Sequence, residues 1–226
     1  MEFYSSSDSE EEMMVFQEQS YYTELIRDPT YLRYISPQDQ TKEICIFAIT
    51  RSSRVLAYVH NQTEDICYEA VSRDGIALCL VNDQTHMLCL TAVRQDGCAL
   101  QFVKNKTKEI CLEAVRQIVH ALCFVEGSDE DILEIYLEAA RKDTRTIWFV
   151  RDMLTGELYQ RVVLELIKID CWQLACVEHQ TIEMCIEAVS KDKAVLRYVR
   201  DSEMREICEQ IIKGKRFLKT KPANKC

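Results

Sequence analysis

Cysteine and histidine are the residues here whose chemistry would be most specific, so their spacing decides first what the chain could do. The chain has twelve cysteines and four histidines in 226 residues. A nucleophilic cysteine needs a histidine beside it and a group to orient that histidine. His60 and His179 fall in linkers, and His86 and His120 stand elsewhere in their segments, so none is paired locally with a distinctive cysteine motif. Cys171, Cys176, His179 and Cys185 form the best metal candidate, four N/S donors of the kind zinc takes. Their spacing fits neither a knuckle nor a ribbon, and Cys176 and Cys185 coincide with repeating apolar positions. Packing accounts for both. The sequence therefore predicts a non-enzymatic protein with no catalytic residue, metal site or cofactor.

The elements that carry these cysteines explain them. Cys45, Cys67, Cys89 and Cys111 are 22 residues apart. Thr41, Thr63, Thr85 and Thr107 precede them by four, and Ala48, Ala70, Ala92 and Ala114 follow by three. Val59, Val81, Val103 and Val125 close the units. The alanine position recurs as Ala139, Leu166 and Ala188 after insertions, and the last unit regains Thr181, Cys185 and Val199. Such a period marks stacked repeats. Apolar spacing of three and four within each unit predicts two short helices, of about ten and eight residues. Thr63-Glu64-Asp65 reads as a helix start, with a capping hydroxyl and two acids in the first turn. Asp74-Gly75 reads as the break between the two helices. Helices this short need neighbours, so the expected fold is all-α, an α-solenoid of about seven two-helix repeats. Cysteine and alanine on one helix face serve as small core residues.

Composition agrees. Five glycines and three prolines are too few for a many-stranded sandwich or barrel, and 47% hydrophobic residues suffice for a core. A net charge of −9 argues against a surface devoted to phosphates. No apolar run is long enough to span a bilayer, and the acidic start lacks a signal peptide's basic region. The expectation is a reduced, soluble, intracellular protein that contacts no membrane. The segments expected are an acidic disordered tail over 1–12, a degenerate N-terminal cap over 13–39, repeats over 40–201, a capping half-repeat over 202–213 and a basic tail over 214–226.

Units such as Gln62-Thr63-Glu64-Asp65-Ile66-Cys67-Tyr68-Glu69-Ala70-Val71, joined by Asn-Gln-Thr and varying to Glu-Ile-Cys-Leu-Glu-Ala-Val, resemble the short helical repeat of the DUF4116 family in the form abundant in giant viruses of amoebae. The resemblance covers about residues 40–200. It implies repeat architecture and viral origin, with a place in the host cytoplasm or in the virion, and carries over no activity, cofactor or site residue.

Two sets of residues remain for binding. Acids at Glu69, Glu113, Glu138, Glu165 and Glu187, followed by Arg73, Arg94, Arg116, Arg141 and Lys168, read either as a self-neutralising ridge or as a partner-facing acidic stripe. In the second helix, the rows through positions 54 and 57 change from repeat to repeat, as a recognition face should. Both tryptophans fall on those rows, so Trp148, Trp172, Arg145 and His120 are the expected centre of a groove for a protein or peptide. The competing expectation is that this face packs on the neighbouring repeat, with the tryptophans filling space beside an irregular insertion near residues 153–159. Lys213, Lys215, Arg216, Lys219 and Lys221 offer tail contacts to nucleic acid, an alternative function; a structural virion component is a third. Oligomeric state is not encoded legibly.

Overall fold

The computed structural model describes the backbone of residues 6–219 and the side chains of residues 16–214. Every regular element among them is helical, and none is long and apolar enough to cross a membrane. The chain forms two compact units, Met1–Ala121 and Leu122–Cys226.

In the first unit, α1 (Ser6–Arg27) is followed by α2 (Lys42–Arg51), α3 (Glu64–Arg73), α4 (His86–Gln95) and α5 (Lys108–Gln117), each packed on the next. The six-residue 3₁₀ helices Pro29–Tyr34, Ser53–Tyr58, Gly75–Leu80 and Gly97–Phe102 stack in the same order as a second layer. A further 3₁₀ helix, Val119–Phe124, follows α5. The second elements are thus 3₁₀ helices rather than helices of about eight residues. Six residues bounded by an aspartate cap and an extended valine leave room for i→i+3 bonds and little more.

Local chemistry sets both helix lengths. Thr41, Thr85, Thr107 and Thr181 cap their helices, each hydroxyl accepting from the backbone N–H three residues on. Thr63 makes no such side-chain bond, contrary to the expectation, and the acids Glu64 and Asp65 in the first turn favour that terminus instead. Asp74 serves two helices. Its N–H donates to Ala70 O to end α3, and its carboxylate accepts from Ile76 N at 3.0 Å to begin the 3₁₀ helix. Asp96, Asp170 and Asp192 repeat this arrangement.

Cys45, Cys67, Cys89, Cys111 and Cys185 are buried in the core with their alanines. Burial pushes the Cys45 and Cys185 thiols up to about 11 and raises those of Cys67 and Cys89 as well. Cys79, by contrast, is exposed. Cysteines at helix-core positions would leave the terminal Cys226 as the one thiol expected to label readily; the exposure of Cys79 corrects that expectation, and Cys226 itself lies outside the described residues. Native labelling with a maleimide should modify Cys79 within minutes. Cys45, Cys67, Cys89, Cys111 and Cys185 should react only after denaturant is added, as peptide mapping would show.

The second unit comprises α6 (Asp129–Lys142), α7 (Thr146–Met153), α8 (Gly156–Ile169), α9 (Ile182–Lys191) and α10 (Ser202–Lys219), with 3₁₀ helices Cys171–Cys176 and Lys193–Tyr198. α6 packs on α8, α8 on α9 and α9 on α10. The insertions are absorbed as helix: α6 and α8 have 14 residues against ten in each of α2 to α5 and α9, and α7 is an α-helix in place of a 3₁₀ helix. Of residues 153–159 only Leu154 and Thr155 lie outside helix, so the expected irregular insertion is a two-residue join, followed by Gly156 in the left-handed region at φ 63°.

The ends depart from expectation too. α1 begins at Ser6, so residues 6–12 are helical and the N-terminal cap is longer than 13–39; the acids at its start suit the positive end of a helix. α10 continues beyond 213 to Lys219, taking up part of the expected basic tail, and residues 1–5 and 220–226 lie outside the described residues.

Candidate functional site

The repeating positions of the 3₁₀ layer point inward. Val55, Leu56, Leu78, Leu100, Leu174 and Val195 are buried. The non-repeating rows point outward: Arg54, His120, Arg145, Trp172 and Ala194 are exposed, as are Ala57, Cys79, Gln101, Trp148 and Arg197. Trp148 and Trp172 keep 45% and 40% of their surface accessible, so neither is a core filler. The expectation that this face packs against the neighbouring repeat is met in part: Trp172 meets the Tyr198 ring of the next repeat at 6.0 Å while 40% of its surface stays accessible.

Trp148, Trp172, Arg145, His120 and Lys213 lie among the residues whose side chains are described. Trp148 lies on α7, with the Arg151 guanidinium 4.8 Å from its ring centre and Arg151 itself bonded to Asp152 at 3.0 Å. Trp172 lies on the 3₁₀ helix Cys171–Cys176, which α7 contacts within the same unit. Arg145 is engaged by a neighbour, its guanidinium donating to both Asp143 oxygens, at 2.6 Å in the shortest bond. Those bonds hold the Asp143 carboxyl below its usual range. His120 is exposed but belongs to the first unit, so it is described apart from the tryptophans. Lys213 lies on α10, 3.7 Å from Glu209. Lys215, Arg216 and Lys219 continue that helix with side chains outside the described residues, and Lys221 lies beyond them altogether.

The structure adds two residues that the sequence reading passed over. Arg197 lies 5.3 Å from the ring centre of Trp172 and 4.8 Å from that of Tyr198, and these rings meet edge to face at 6.0 Å. The Leu196-Arg197-Tyr198 sequence repeats Leu32-Arg33-Tyr34, where Arg33 lies 4.9 Å from the centre of Tyr34 and 5.8 Å from that of Tyr58. That echo of three residues was the available signal.

Glutamine carries the other overlooked pattern. Gln62 Nε2 donates to Leu56 O at 3.3 Å and to Leu80 O at 3.0 Å, and its Oε1 accepts from Asn82 N at 3.0 Å. One amide thus bridges the 3₁₀ helices of successive repeats. Gln84 and Gln180 do the same, and Gln40 bridges Leu32 O and Tyr58 O. The core thiols Cys67, Cys89 and Cys185 each donate weakly to the Oε1 of the glutamine five residues before, at 3.8–3.9 Å.

This wiring bears on the search for chemistry. A polar cleft lined by Asp83, Gln84, His86, Cys89 and Lys104 holds a histidine near a cysteine, and His86 Nε2 lies 3.1 Å from Glu109. A nucleophilic thiol needs a lowered pKa, whereas burial raises that of Cys89, whose proton is directed at Gln84. Cys67 and Cys185 are wired identically with Glu64 and Ile182 where α4 has His86. Among the described residues, no group of three or more His, Cys, Asp or Glu side chains could hold a metal ion. Cys171 and Cys185 are buried and His179 is exposed.

The acidic ridge neutralises itself. Glu69 pairs with Arg73 at 2.5 Å, Glu138 with Arg141 at 3.0 Å and Glu165 with Lys168 at 2.6 Å. Glu113 pairs with both Arg94 and Arg116, whose bonds, Arg94 foremost, hold its carboxyl below the usual range. Exposed pairs of this kind contribute little to stability and leave little net charge for a partner.

No protein-family model, curated protein or solved structure matches the chain.

Proposed function

We propose that this protein is a non-enzymatic helical-repeat scaffold that binds a protein partner through the variable face of its second layer, with Trp148 and Trp172 as anchors. The family reading we propose with it is the DUF4116-like repeat of giant viruses. The observation that carries the binding role is the division of labour in the second layer: the positions that repeat are buried, and most of those that vary are exposed, both tryptophans among them, with Ile76, Cys98, Cys123 and Ala175 half-buried. Stacked repeats present such surfaces, and tryptophan is enriched among residues that dominate interfaces.

Trp148→Ala and Trp172→Ala, made separately, should abolish capture of the partner recovered with the wild-type protein from expressing cells. Because each indole is more than half covered, each variant should lose about 1–3 kcal/mol and melt several degrees early while staying folded at 25 °C, where capture is compared. Early melting with normal capture at that temperature would place the binding face elsewhere.

A further inference from the structure

Four arginines of the second unit are neutralised by carboxylates within it, whereas Arg197, Arg200 and Arg205 make no described ion pair. Arg141 is paired with Glu138, Arg145 with Asp143, Arg151 with Asp152 and Arg161 with Glu130, at 2.6–3.0 Å. Arg197 differs. It is exposed, no described carboxylate lies within ion-pair distance, and its guanidinium is held by the rings of Trp172 and Tyr198. A guanidinium positioned over a ring keeps its in-plane N–H groups available, so the cation is oriented without its donors being used. Beside it lies accessible indole surface on Trp172.

We propose that Trp172, Arg197 and Tyr198 form a site for a short peptide segment in which one carboxylate stands next to an apolar side chain. The carboxylate takes the guanidinium fork, and the apolar group covers the indole. This rests on the protein-binding reading above and narrows it. A densely charged polyanion fits less well. One arginine is uncompensated at the site, Asp170 and Asp192 cap the two 3₁₀ helices that form it, and the chain carries −9 overall. The first unit supplies an internal control, because Arg33 is held by Tyr34 and Tyr58 in the same way but with no indole beside it.

The test uses the full chain and two labelled heptapeptides, Gly-Ser-Leu-Glu-Phe-Ser-Gly and its Gln counterpart, read by the indole N–H signals of Trp148 and Trp172 in NMR titrations. The Glu peptide should shift the Trp172 signal in a saturable way, and the Gln peptide should bind at least tenfold more weakly. Arg197→Ala should weaken the Glu peptide at least tenfold. Arg197→Lys, which keeps charge and stem but not the fork, should weaken it several-fold, and Arg33→Ala should leave it unchanged. Equal binding of the two peptides, full binding by Arg197→Ala, or a Trp172 response to decathymidylate but not to the Glu peptide would overturn the proposal. If neither peptide binds while Trp172→Ala still abolishes partner capture, the carboxylate site falls and the wider binding face stands.

Discussion

Gln62→Glu is expected to lower the stability of the first unit by about 3 kcal/mol or more at neutral pH, because the wild-type amide gives one proton to Leu56 O and the other to Leu80 O. A carboxylate gives neither and sets its charge against both carbonyls. Leu56 O keeps its bond from Val59 N, so the carbonyl chiefly left without a donor is Leu80 O, at a cost on the order of 1–3 kcal/mol where water cannot replace the amide. Gln62→Ala should cost less, about 1–2 kcal/mol, because it strands Leu80 O without adding a charge and leaves space for water. The two variants also differ in pH dependence. The introduced carboxyl is more basic folded than unfolded, because its neutral form can donate one bond to a carbonyl. Its charge penalty is therefore absent below the unfolded value of about 4.3, grows as pH rises between the unfolded and folded values, and is complete above the folded one. Urea denaturation from pH 4 to 8 should show Gln62→Glu converging on Gln62→Ala in acid and falling below it at neutrality. Parallel curves for the two would mean that the amide does not bridge the repeats.

Gly75→Ala should cost about 2–3 kcal/mol for a different reason. Gly75 is not in a left-handed conformation; its hydrogen faces the neighbouring repeat. A Cβ there would meet Ala92 O inside van der Waals distance and Gln95 Oε1 at 2.9 Å, and that same Oε1 accepts from Gly75 N at 2.6 Å. The obstruction is largely backbone, so α3 and α4 would have to separate, which is the situation in which overpacking is most costly. Ala would recover a few tenths to 1 kcal/mol by restricting the unfolded chain. Gly75→Ala combined with Gln95→Ala should not be rescued, since Ala92 O remains. Ser53, at the equivalent place in the preceding repeat, should accept alanine within about 0.5 kcal/mol. Rescue by Gln95→Ala, measured by thermal denaturation, would show that the side chain and not the backbone sets the limit.

The repeat was legible in the sequence because it is written in side chains that do one thing each: a threonine that caps, a cysteine and an alanine that fill, a valine that closes. The glutamine was less legible because its partners are main-chain carbonyls, which have no letter in a sequence. Asn-Gln-Thr therefore read as a linker, although glutamine stands at 40, 62, 84 and 180. The pairing of Gly75 with Gln95 and of Gly97 with Gln117 was hidden similarly, since each pair spans two repeats and is absent where Ser53 and Arg73 hold those places. The choice between a 3₁₀ helix and a short α-helix was not decidable from apolar spacing alone, because positions three apart share a face in both. On the binding face, variability revealed which rows mattered. It did not reveal that Arg145 would be taken up by Asp143 two residues before it, which a local turn decides, or that Arg197 would stay uncommitted beside Trp172, which depends on distances between adjacent repeats.

The glutamine bridge recognises backbone, and that makes the lattice indifferent to which repeat comes next. Consider a chain from which residues 76–97 are excised, joining Gly75 to Cys98. Gln62 would still find Leu56 O on one side and, in place of Leu80 O, the Phe102 O that now serves Gln84. Gly75 would meet Gln117, the acceptor now used by Gly97, in place of Gln95. No polar group of the junction would lose its kind of partner. A gene encoding such a protein can thus lengthen or shorten by unequal recombination in steps of 22 codons, and natural variants should differ by whole repeats, with losses placed between equivalent glycines.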